Sequence, residues 1–257
     1  MSNTRRQVGI TGAGGNVGTT LVRGLAANYD LTLFDRQPLA SHPDGAKVKV
    51  LNCADRQALT GAFEGLDSLI HLVGDPSPGA PRASTMQNNF LAFSLTCEEA
   101  RRAGVRRIVF ASSNFYHEGD IGKVLRNRSE PLITLDRPPT PECLYGESKV
   151  YGESVGRHLS YLGVSFVALR IGWTVPDDDP SKYWGGYMRA VYCSHRDLVE
   201  AFSRALEVET DFLAAFAVSR NEHGVFDLAE TERLLGFHPK DNAETARLLG
   251  FHSNENA

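Results

Sequence analysis

The chain has 257 residues, of which 42% are hydrophobic and 23% are charged, and its net charge at neutral pH is −4. This size and composition predict a globular protein with one large domain, or one domain with a small cap. The weak negative charge argues against nucleic acid or an anionic membrane as a partner, and no apolar run reaches the roughly 18 residues that a membrane-spanning helix needs.

The first part of the chain alternates short apolar runs with longer amphipathic ones. The predicted strands are residues 8–10, 31–34, 48–51, 69–73 and 108–111, and the predicted helices are 17–27, 57–63 and 85–103. Nearly continuous apolar strands separated by helices indicate a parallel sheet that is covered on both faces. Right-handed crossovers then give an α/β fold, a Rossmann-type doubly wound parallel sheet.

In the second part of the chain, the alternation of apolar and amphipathic runs is weaker. Segment 114–142 is polar and rich in proline, and we interpret it as a long surface connection with one short turn of structure. A loop of this length is often functional, for example as a lid or substrate wall. A helix at 145–162 and a strand at 165–170 follow, and then a helix at 198–206, a strand at 212–218 and a helix at 227–235. The predicted division is a Rossmann domain, residues 1–172, and a small substrate-binding C-terminal cap with the tail, residues 173–257.

The tail contains an internal repeat, because the sequence of residues 229–242 recurs with few changes at 243–256. Two copies are too few for a solenoid, so the simplest interpretation is a tandem duplication of a terminal helix. The alternative is a dimerisation arm, in which a partner would have to cover Leu248, Leu249 and Phe251.

The glycine spacing Gly12-x-x-Gly15-x-x-Gly18 lies between the first strand and the first helix. In this context Gly12 permits a tight turn, Gly15 lets the backbone approach a pyrophosphate, and Gly18 lets the helix pack closely on the sheet. Free amides and the positive dipole end of the helix favour the phosphates. The strand–turn–helix context disfavours the alternative of a simple turn.

Asp35 ends the second strand, where a carboxylate accepts hydrogen bonds from the adenosine ribose. It would repel a 2′-phosphate, so NAD is predicted over NADP, although Arg36 could accept that phosphate or lie on the adenine. His71 is interpreted as a core residue. The residues expected to bind the cofactor are Gly12, Gly15, Asn16, Val17, Gly18, Asp35, Arg36, Asn52, Cys53, Leu72, Val73, Gly74, Asn89, Tyr145 and Lys149.

Tyr145 and Lys149 are four residues apart and therefore neighbours on one helix face. A tyrosine is a poor base at its ordinary pKa of about 10, and a nearby ammonium or an oxidised nicotinamide lowers that value. Tyr145 could then accept the hydroxyl proton of an alcohol. Ser113, at the end of the fifth strand, is predicted to hold the substrate oxygen, with Ser112 as the alternative.

These motifs resemble the extended short-chain dehydrogenases/reductases of the NAD-dependent epimerase/dehydratase group. The resemblance covers nearly the whole chain. The residues that carry it are Thr11–Gly18, Asp35, His71–Gly74, Phe110–Asn114, Leu144–Lys149 and Arg170–Gly172. Segments 111–114, 194–197 and 235–242 resemble uronate dehydrogenases, and segments 33–39 and 74–81 are similar to haloarchaeal NAD-dependent glucose-6-phosphate dehydrogenases. Both relatives oxidise a sugar at C1 to a lactone.

The resemblance implies that Ser113, Tyr145 and Lys149 form a catalytic triad, that Asn114 contacts the substrate, and that the protein is a homodimer through the helices at 85–103 and 145–162. The chain departs from the pattern at Pro76, Phe115, Trp173 and Tyr187. Arg189, Lys182 and Arg196 are candidates for gripping a carboxylate or phosphate. The candidate substrate-binding residues are Asp75, Ser113, Asn114, Phe115, Trp173 and Arg189.

The primary hypothesis is an NAD-dependent oxidoreductase that oxidises the C1 hydroxyl of a hexuronate, aldose or sugar phosphate. A sugar or sugar-nucleotide epimerase/dehydratase on the same scaffold is the first alternative, and a dinucleotide-sensing regulator is the second. Four cysteines without a Cys-x-x-Cys pair are typical of reduced thiols in the cytoplasm, and they predict no metal site.

Overall fold

A single parallel sheet organises the molecule. The computed structural model describes residues 5–182 and 185–244. Within these ranges the strand order is β3-β2-β1-β4-β5-β6-β7, and every pairing is parallel. The strands are β1 Gln7–Thr11, β2 Asp30–Asp35, β3 Lys47–Val50, β4 Ser68–His71, β5 Arg107–Ser113, β6 Ser165–Ile171 and β7 Phe212–Ala217. The predicted Rossmann-type doubly wound sheet is confirmed, and its strand order reverses between β1 and β4.

Helices connect the strands and cover both faces of the sheet. They are α1 Asn16–Leu25, α2 Arg56–Leu59, α3 Arg82–Thr85, α4 Ala92–Arg102, α5 Glu118–Arg126, α6 Leu144–Tyr161, α7 Gly186–Ala190, α8 His195–Glu207 and α9 Ala229–Leu235. A π-helical segment, Met86–Leu91, joins α3 to α4 without a break. The helix predicted at 85–103 is therefore the larger part of a continuous helical stretch made of three segments. Gly104, with φ of +79°, ends it.

Two apolar layers flank the sheet. On one face Leu21 of α1 packs with Leu198 and Phe202 of α8, and on the other face Phe93 of α4 packs with residues of β5 and β6. His71 belongs to the second layer, where it is 1% exposed and its ring centroid lies 5.4 Å from that of Phe93. This burial confirms that His71 is a core residue.

Helix α6 approaches the sheet unusually closely, and two glycines make this possible. A Cβ atom at Gly152 would lie 2.4 Å from the Phe110 ring, and one at Gly156 would lie 2.2 Å from the Phe166 ring. Aromatic side chains from β5 and β6 therefore occupy the space that larger residues on α6 would need. The close contact fixes the position of the first turns of α6, which carry Tyr145 and Lys149.

The interpretation of segment 114–142 as a surface connection is wrong. The chain forms a 3₁₀ turn, Asn114–His117, and then α5. Ile121, Val124 and Ile133 are buried in a third apolar cluster with Phe216 of β7. The segment contains many prolines and charged residues, so the few apolar residues that pack it onto the sheet edge form no recognisable pattern in the sequence.

The segment after residue 172 contributes to the sheet as well as to its periphery. Strand β7 pairs with β6, and α8 packs against α1, where a Cβ atom at Gly24 would lie 2.4 Å from Val199. The part of the chain that could form a cap is therefore smaller than the division at 172 assigned to it. The division into two domains stays a prediction.

The end of the described chain is attached to α8. Asp197 is fully buried, and its carboxylate accepts hydrogen bonds from the Lys240 amide at 2.9 Å, the Asp241 amide at 3.0 Å and the Ser219 hydroxyl at 2.7 Å. The first copy of the tail repeat contains α9. The proposed arm with Leu248, Leu249 and Phe251 lies outside the described residues.

No helix in the described ranges is both long enough and apolar enough to cross a membrane. Nor do the side chains described there form a group of three or more His, Cys, Asp or Glu residues that could hold a metal ion.

Candidate active site

A cleft with a volume of about 680 Å³ opens at the carboxyl edge of the sheet. Loops that follow β1, β4, β5 and β6 line it, together with the first turns of α6 and α7. The carboxyl ends of parallel strands meet at one edge, and the loops diverge where the strand order reverses. The topology thus brings together motifs that lie far apart in the sequence.

The glycine loop forms one side of the cleft. Gly15 is the N-cap of α1, and no side chain caps this helix end. A Cβ atom at Gly18 would lie 2.3 Å from the Gly12 carbonyl oxygen, so only glycine allows the helix to start this close to β1. Gly12 has φ of +74°, a value that side chains disfavour. An uncapped helix end beside a tight glycine turn fits a dinucleotide pyrophosphate.

Asp35 is held beside this loop. The Gly14 amide donates to its Oδ2 at 2.9 Å, and the Gln37 amide donates to its Oδ1 at 3.2 Å. A carboxylate fixed at the end of β2, next to the glycine turn, suits the ribose hydroxyls of a bound dinucleotide. Arg36, the next residue, is exposed.

The other expected cofactor residues divide into two groups. The cleft lining includes Gly12, Gly15, Asn16, Val17, Gly18, Leu72, Gly74, Tyr145 and Lys149. Asn16 also donates to the Thr174 carbonyl and hydroxyl oxygens, both at 3.0 Å, which ties the glycine loop to the segment after β6.

The second group, Asn52, Cys53, Val73 and Asn89, does not line the cleft. Asn52 accepts from the Ala54 amide, and Cys53 is 3% exposed. The side chain of Asn89 is buried and bonds the backbone of Asp75 and the Ser148 hydroxyl. The position of Asn89 in the π-helical segment makes it a support for the loop after β4. Contact of these residues with the cofactor stays a prediction.

Tyr145 and Lys149 lie on the face of α6 that borders the cleft. The Lys149 ammonium donates to the Ala111 carbonyl oxygen at 2.8 Å and lies 5.0 Å from the centroid of the Tyr145 ring. The Ser113 hydroxyl forms a hydrogen bond with Tyr145. The structure thus brings together the three residues that the sequence predicted as a catalytic group.

Burial shifts the pKa values of both residues on α6. It raises the pKa of Tyr145 above its ordinary value, and the hydrogen bond with Ser113 opposes part of this rise. Burial lowers the pKa of Lys149 to about 8. The expected lowering of the Tyr145 pKa is therefore absent from the free protein, because desolvation of the phenolate dominates.

The two serines at the end of β5 have different hydrogen-bond partners. The Ser112 hydroxyl donates to Oε1 of Glu153 at 2.7 Å, and Glu153 forms a buried ion pair with Arg170. The Ser113 hydroxyl donates to Asn114 Oδ1 at 3.3 Å and accepts from the Phe115 amide at 3.2 Å. Ser113 is thus the hydroxyl beside Tyr145, while Ser112 belongs to an internal network.

One end of the cleft is rich in aromatic side chains. Phe115 lies with its ring centroid 5.4 Å from that of Tyr145, and Trp173 also lines this end. Asn114 Nδ2 donates to the Tyr187 hydroxyl at 2.7 Å. Asp75 and Arg189, which the sequence analysis expected here, are not among the lining residues.

Several lining residues were not predicted as site residues, among them Thr174, Tyr187 and Met188. Tyr187 and Met188 lie on α7, a helix of five residues whose pattern is too short to detect in the sequence. The signal for Tyr187 was the resemblance to uronate dehydrogenases, from which the chain departs at this position.

The chain is similar to several known proteins over most of its length. The model of the NAD dependent epimerase/dehydratase family matches residues 8–175. L-arabinose 1-dehydrogenase (NAD(P)(+)) of Haloferax volcanii is 32% identical, over 92% of this chain and 97% of the relative. NAD-dependent glucose-6-phosphate dehydrogenase of the same organism is 32% identical, over 91% of this chain and 92% of the relative.

Among solved structures, a mutant uronate dehydrogenase from Agrobacterium tumefaciens in complex with NAD superimposes with a TM-score of 0.80 at 27% identity. The match covers 95% of this chain and 88% of the other. The resemblance to uronate dehydrogenases and to haloarchaeal glucose-6-phosphate dehydrogenases is confirmed. The similarity to an arabinose dehydrogenase adds a neutral sugar to the substrates of the relatives.

Proposed function

The chain belongs to the NAD dependent epimerase/dehydratase family, and from this premise we propose that it is an NAD-dependent dehydrogenase that oxidises the C1 hydroxyl of a sugar to a lactone. The observation that carries the proposal is the convergence of Ser113, Tyr145 and Lys149 on the cleft that the glycine loop borders. Two relatives that match over most of their length are sugar dehydrogenases, which supports the same reaction.

The oxidation removes a hydride from C1 and a proton from the C1 hydroxyl, and the residues of this chain act on the proton. When bound, NAD supplies the acceptor for the hydride that leaves C1. Tyr145 accepts the proton of the C1 hydroxyl at its phenolate oxygen, and Ser113 donates a hydrogen bond to the sugar oxygen. Lys149 stabilises the phenolate, because its ammonium lies over the Tyr145 ring and is fixed by the Ala111 carbonyl. The C1–H and O–H bonds break, and the C=O bond of the lactone forms.

The direct test is the formation of NADH, followed at 340 nm, when the full-length protein is mixed with NAD and a panel of hexuronates, aldoses and sugar phosphates. Reduction of NAD by at least one sugar is the expected result. If NAD binds and a sugar is interconverted without net reduction, the protein is an epimerase. If NAD binds and no sugar is changed, it is a sensor.

The close packing of the glycine loop predicts that Gly18→Ala lowers the affinity for NAD. The added Cβ would lie 2.3 Å from the Gly12 carbonyl oxygen, so the start of α1 must move away from the cleft. Overpacking of this kind costs about 1–3 kcal/mol, which corresponds to a decrease of about tenfold or more in affinity for NAD. Gly186→Ala is the control, because a Cβ atom there meets nothing within 4 Å. Equal affinities in calorimetric titrations of the two variants would contradict the placement of the pyrophosphate.

The position of Asp35 predicts the preference for NAD. In Asp35→Asn the bond from the Gly14 amide is retained while the charge that repels a 2′-phosphate is lost. We expect the ratio of kcat/KM with NAD to that with NADP to fall by about tenfold, the effect of roughly 1.4 kcal/mol. Asp30→Asn, at the other end of β2, is the control. An unchanged ratio in Asp35→Asn would mean that another group selects the cofactor.

We also propose that the protein is a homodimer in the cytoplasm. Met86, Leu91 and Tyr151 are 42%, 47% and 36% exposed on the outer faces of the helices that the family resemblance assigns to a dimer. Such a patch is suited to a second copy of itself. All four cysteines are free thiols, as expected in a reducing compartment.

Leu91→Lys is therefore expected to convert the dimer to a monomer, because it places a charge in an apolar interface. Sedimentation velocity at micromolar concentration measures the change. Leu132→Lys is a matched control, since Leu132 is also 47% exposed but lies outside the patch. A wild-type protein that sediments as a monomer, or a Leu91→Lys variant that remains a dimer, would refute this interface.

A further inference from the structure

The aromatic end of the cleft, defined by Asn114, Phe115, Trp173, Tyr187 and Met188, offers polar groups that carry no charge. Asn114 donates to the Tyr187 hydroxyl at 2.7 Å and accepts from Ser113 at 3.3 Å. Once the Ser113 hydroxyl donates to the sugar, the lone pairs of Asn114 Oδ1, the second amide hydrogen of Asn114 and the Tyr187 proton are left to bond other hydroxyls of the ligand. Sugar hydroxyls, which both donate and accept, match this set.

The rings at this end form a surface for the apolar face of a sugar. The Phe115 centroid lies 5.4 Å from that of Tyr145 and 6.5 Å from that of Tyr187. Aromatic side chains bury apolar area while a few placed polar groups set orientation, which is the usual composition of a small-molecule pocket. The Phe115 ring thus lies beside Tyr145, the residue proposed to accept the C1 hydroxyl proton.

Cations are scarce in the cleft. Among the described residues that line it, Lys149 is the one charged side chain, and it is bonded to the Ala111 carbonyl below Tyr145. Of the three cations considered earlier, Arg196 donates to Asp241 and Lys182 pairs with Asp177. Neither of them lines the cleft, and Arg189 does not line it either.

Two acidic residues act on Tyr187. The carboxylate of Glu118, at the start of α5, accepts from the Glu142 amide at 3.2 Å, and both acids raise the pKa of Tyr187 in addition to the effect of its burial. A carboxylate or phosphate bound here would lose its hydration without gaining the fork or ammonium that normally replaces it.

We propose that the substrate class is an uncharged aldose, and that hexuronates and sugar phosphates are poor substrates. The inference rests on the proposed function and narrows it. The sugar lies against the rings of the aromatic end, its C1 hydroxyl meets Tyr145 and Ser113, and other hydroxyls bond Asn114 and Tyr187.

A matched series of sugars tests the inference with the full-length protein and NAD. D-galacturonate, D-galactose and L-arabinose share their ring stereochemistry and differ at C5, which carries a carboxylate, a hydroxymethyl group or hydrogen. Glucose 6-phosphate and glucose form a second pair. We expect kcat/KM to be at least about tenfold higher for the neutral member of each pair, because an ion without a partner is rejected strongly.

A variant adds a test of the missing charge. Met188→Arg places a guanidinium at the aromatic end, and Met188→Gln is its uncharged control. Met188→Arg is expected to raise the ratio of kcat/KM for galacturonate to that for galactose by about tenfold or more, and Met188→Gln should leave this ratio unchanged.

The possible outcomes distinguish failure of the substrate class from failure of the dehydrogenase function. Oxidation of galacturonate or glucose 6-phosphate as efficient as that of the neutral partner overturns the inference and leaves the dehydrogenase proposal standing. An unchanged ratio in Met188→Arg overturns the placement of the sugar at this end. No oxidation of any sugar, with NAD bound, overturns the proposed function and the inference with it.

Discussion

Tyr145→Phe is expected to lower kcat by about 10²- to 10⁴-fold, the usual contribution of a positioned acid or base. The substitution removes the one hydroxyl that lies on α6 above Lys149 and bonds Ser113. The ring itself remains, so its contact with Phe115 and the shape of the cleft should be retained. NAD affinity is therefore expected to stay within about threefold of wild type, because the change acts on the proton transfer and not on binding.

The same residues predict the dependence of kcat/KM on pH. The active form carries a phenolate at Tyr145 and an ammonium at Lys149. Burial raises the pKa of Tyr145 above its ordinary value and lowers that of Lys149 to about 8, so the pKa of the ammonium is the lower of the two. The active form thus needs the group of higher pKa deprotonated and the group of lower pKa protonated. Its fraction, and with it kcat/KM, rises about tenfold per pH unit up to about pH 8 and then levels off until the phenol itself ionises.

Tyr151→Phe is the matched control for both measurements. Tyr151 lies on the same helix, and its hydroxyl bonds Ser94 at 2.7 Å, outside the cleft. Wild-type turnover and an unchanged pH profile are expected for it. If Tyr145→Phe retained full turnover with any sugar, Tyr145 would not be the base and the mechanism would be wrong.

Arg170→Met is expected to lower the free energy of unfolding by about 3–5 kcal/mol, the cost of leaving a buried partner charge unpaired. Arg170 and Glu153 have side chains that are 4% and 7% exposed, and they form two parallel hydrogen bonds of 3.0 and 2.8 Å. Arg170 also donates to the Leu135 carbonyl at 3.1 Å and stacks 3.8 Å from the Tyr116 ring centroid. One side chain thus joins β6, α6 and the segment that follows β5.

The double variant Arg170→Met/Glu153→Met separates a lost partner from lost packing. Removal of both charges should recover much of the stability lost in the single variant, since no buried charge is left alone. Arg233→Met is a surface control, because Arg233 and Glu230 are 66% and 52% exposed, and it should cost less than about 1 kcal/mol. Equal losses in urea titrations of Arg170→Met and Arg233→Met would contradict the importance of the buried pair.

The parts of the fold that could be predicted from the sequence are those that local rules determine. Buried parallel strands are continuous apolar runs, as in β1, β4 and β6, because helices cover both of their faces. The glycine loop was identifiable because its backbone turn and helix contact admit only glycine, and Tyr145 and Lys149 because residues four apart share a helix face.

Local rules failed where a residue's partners are distant in the chain. Segment 114–142 was interpreted as a surface connection, yet Ile121 and Ile133 are buried against Phe216 of β7. The choice between Ser112 and Ser113 depended on Glu153, which lies on another element and engages the first serine. Cys53 and Asn89 are predicted to contact the cofactor, and the burial of both side chains in the free protein follows from packing between elements that the sequence pattern does not show.

The doubly wound sheet, the dinucleotide loop at its first turn and the tyrosine–lysine pair on a later helix all follow from the order of residues along the chain. These features depend on backbone conformation and on spacing within one element. Which side chains face one another across the cleft depends instead on how the elements pack. The neutral, aromatic lining at Asn114, Phe115 and Tyr187 is a product of contacts between the 3₁₀ turn after β5, α6 and α7. Such contacts depend on packing in three dimensions, which spacing along the chain does not specify.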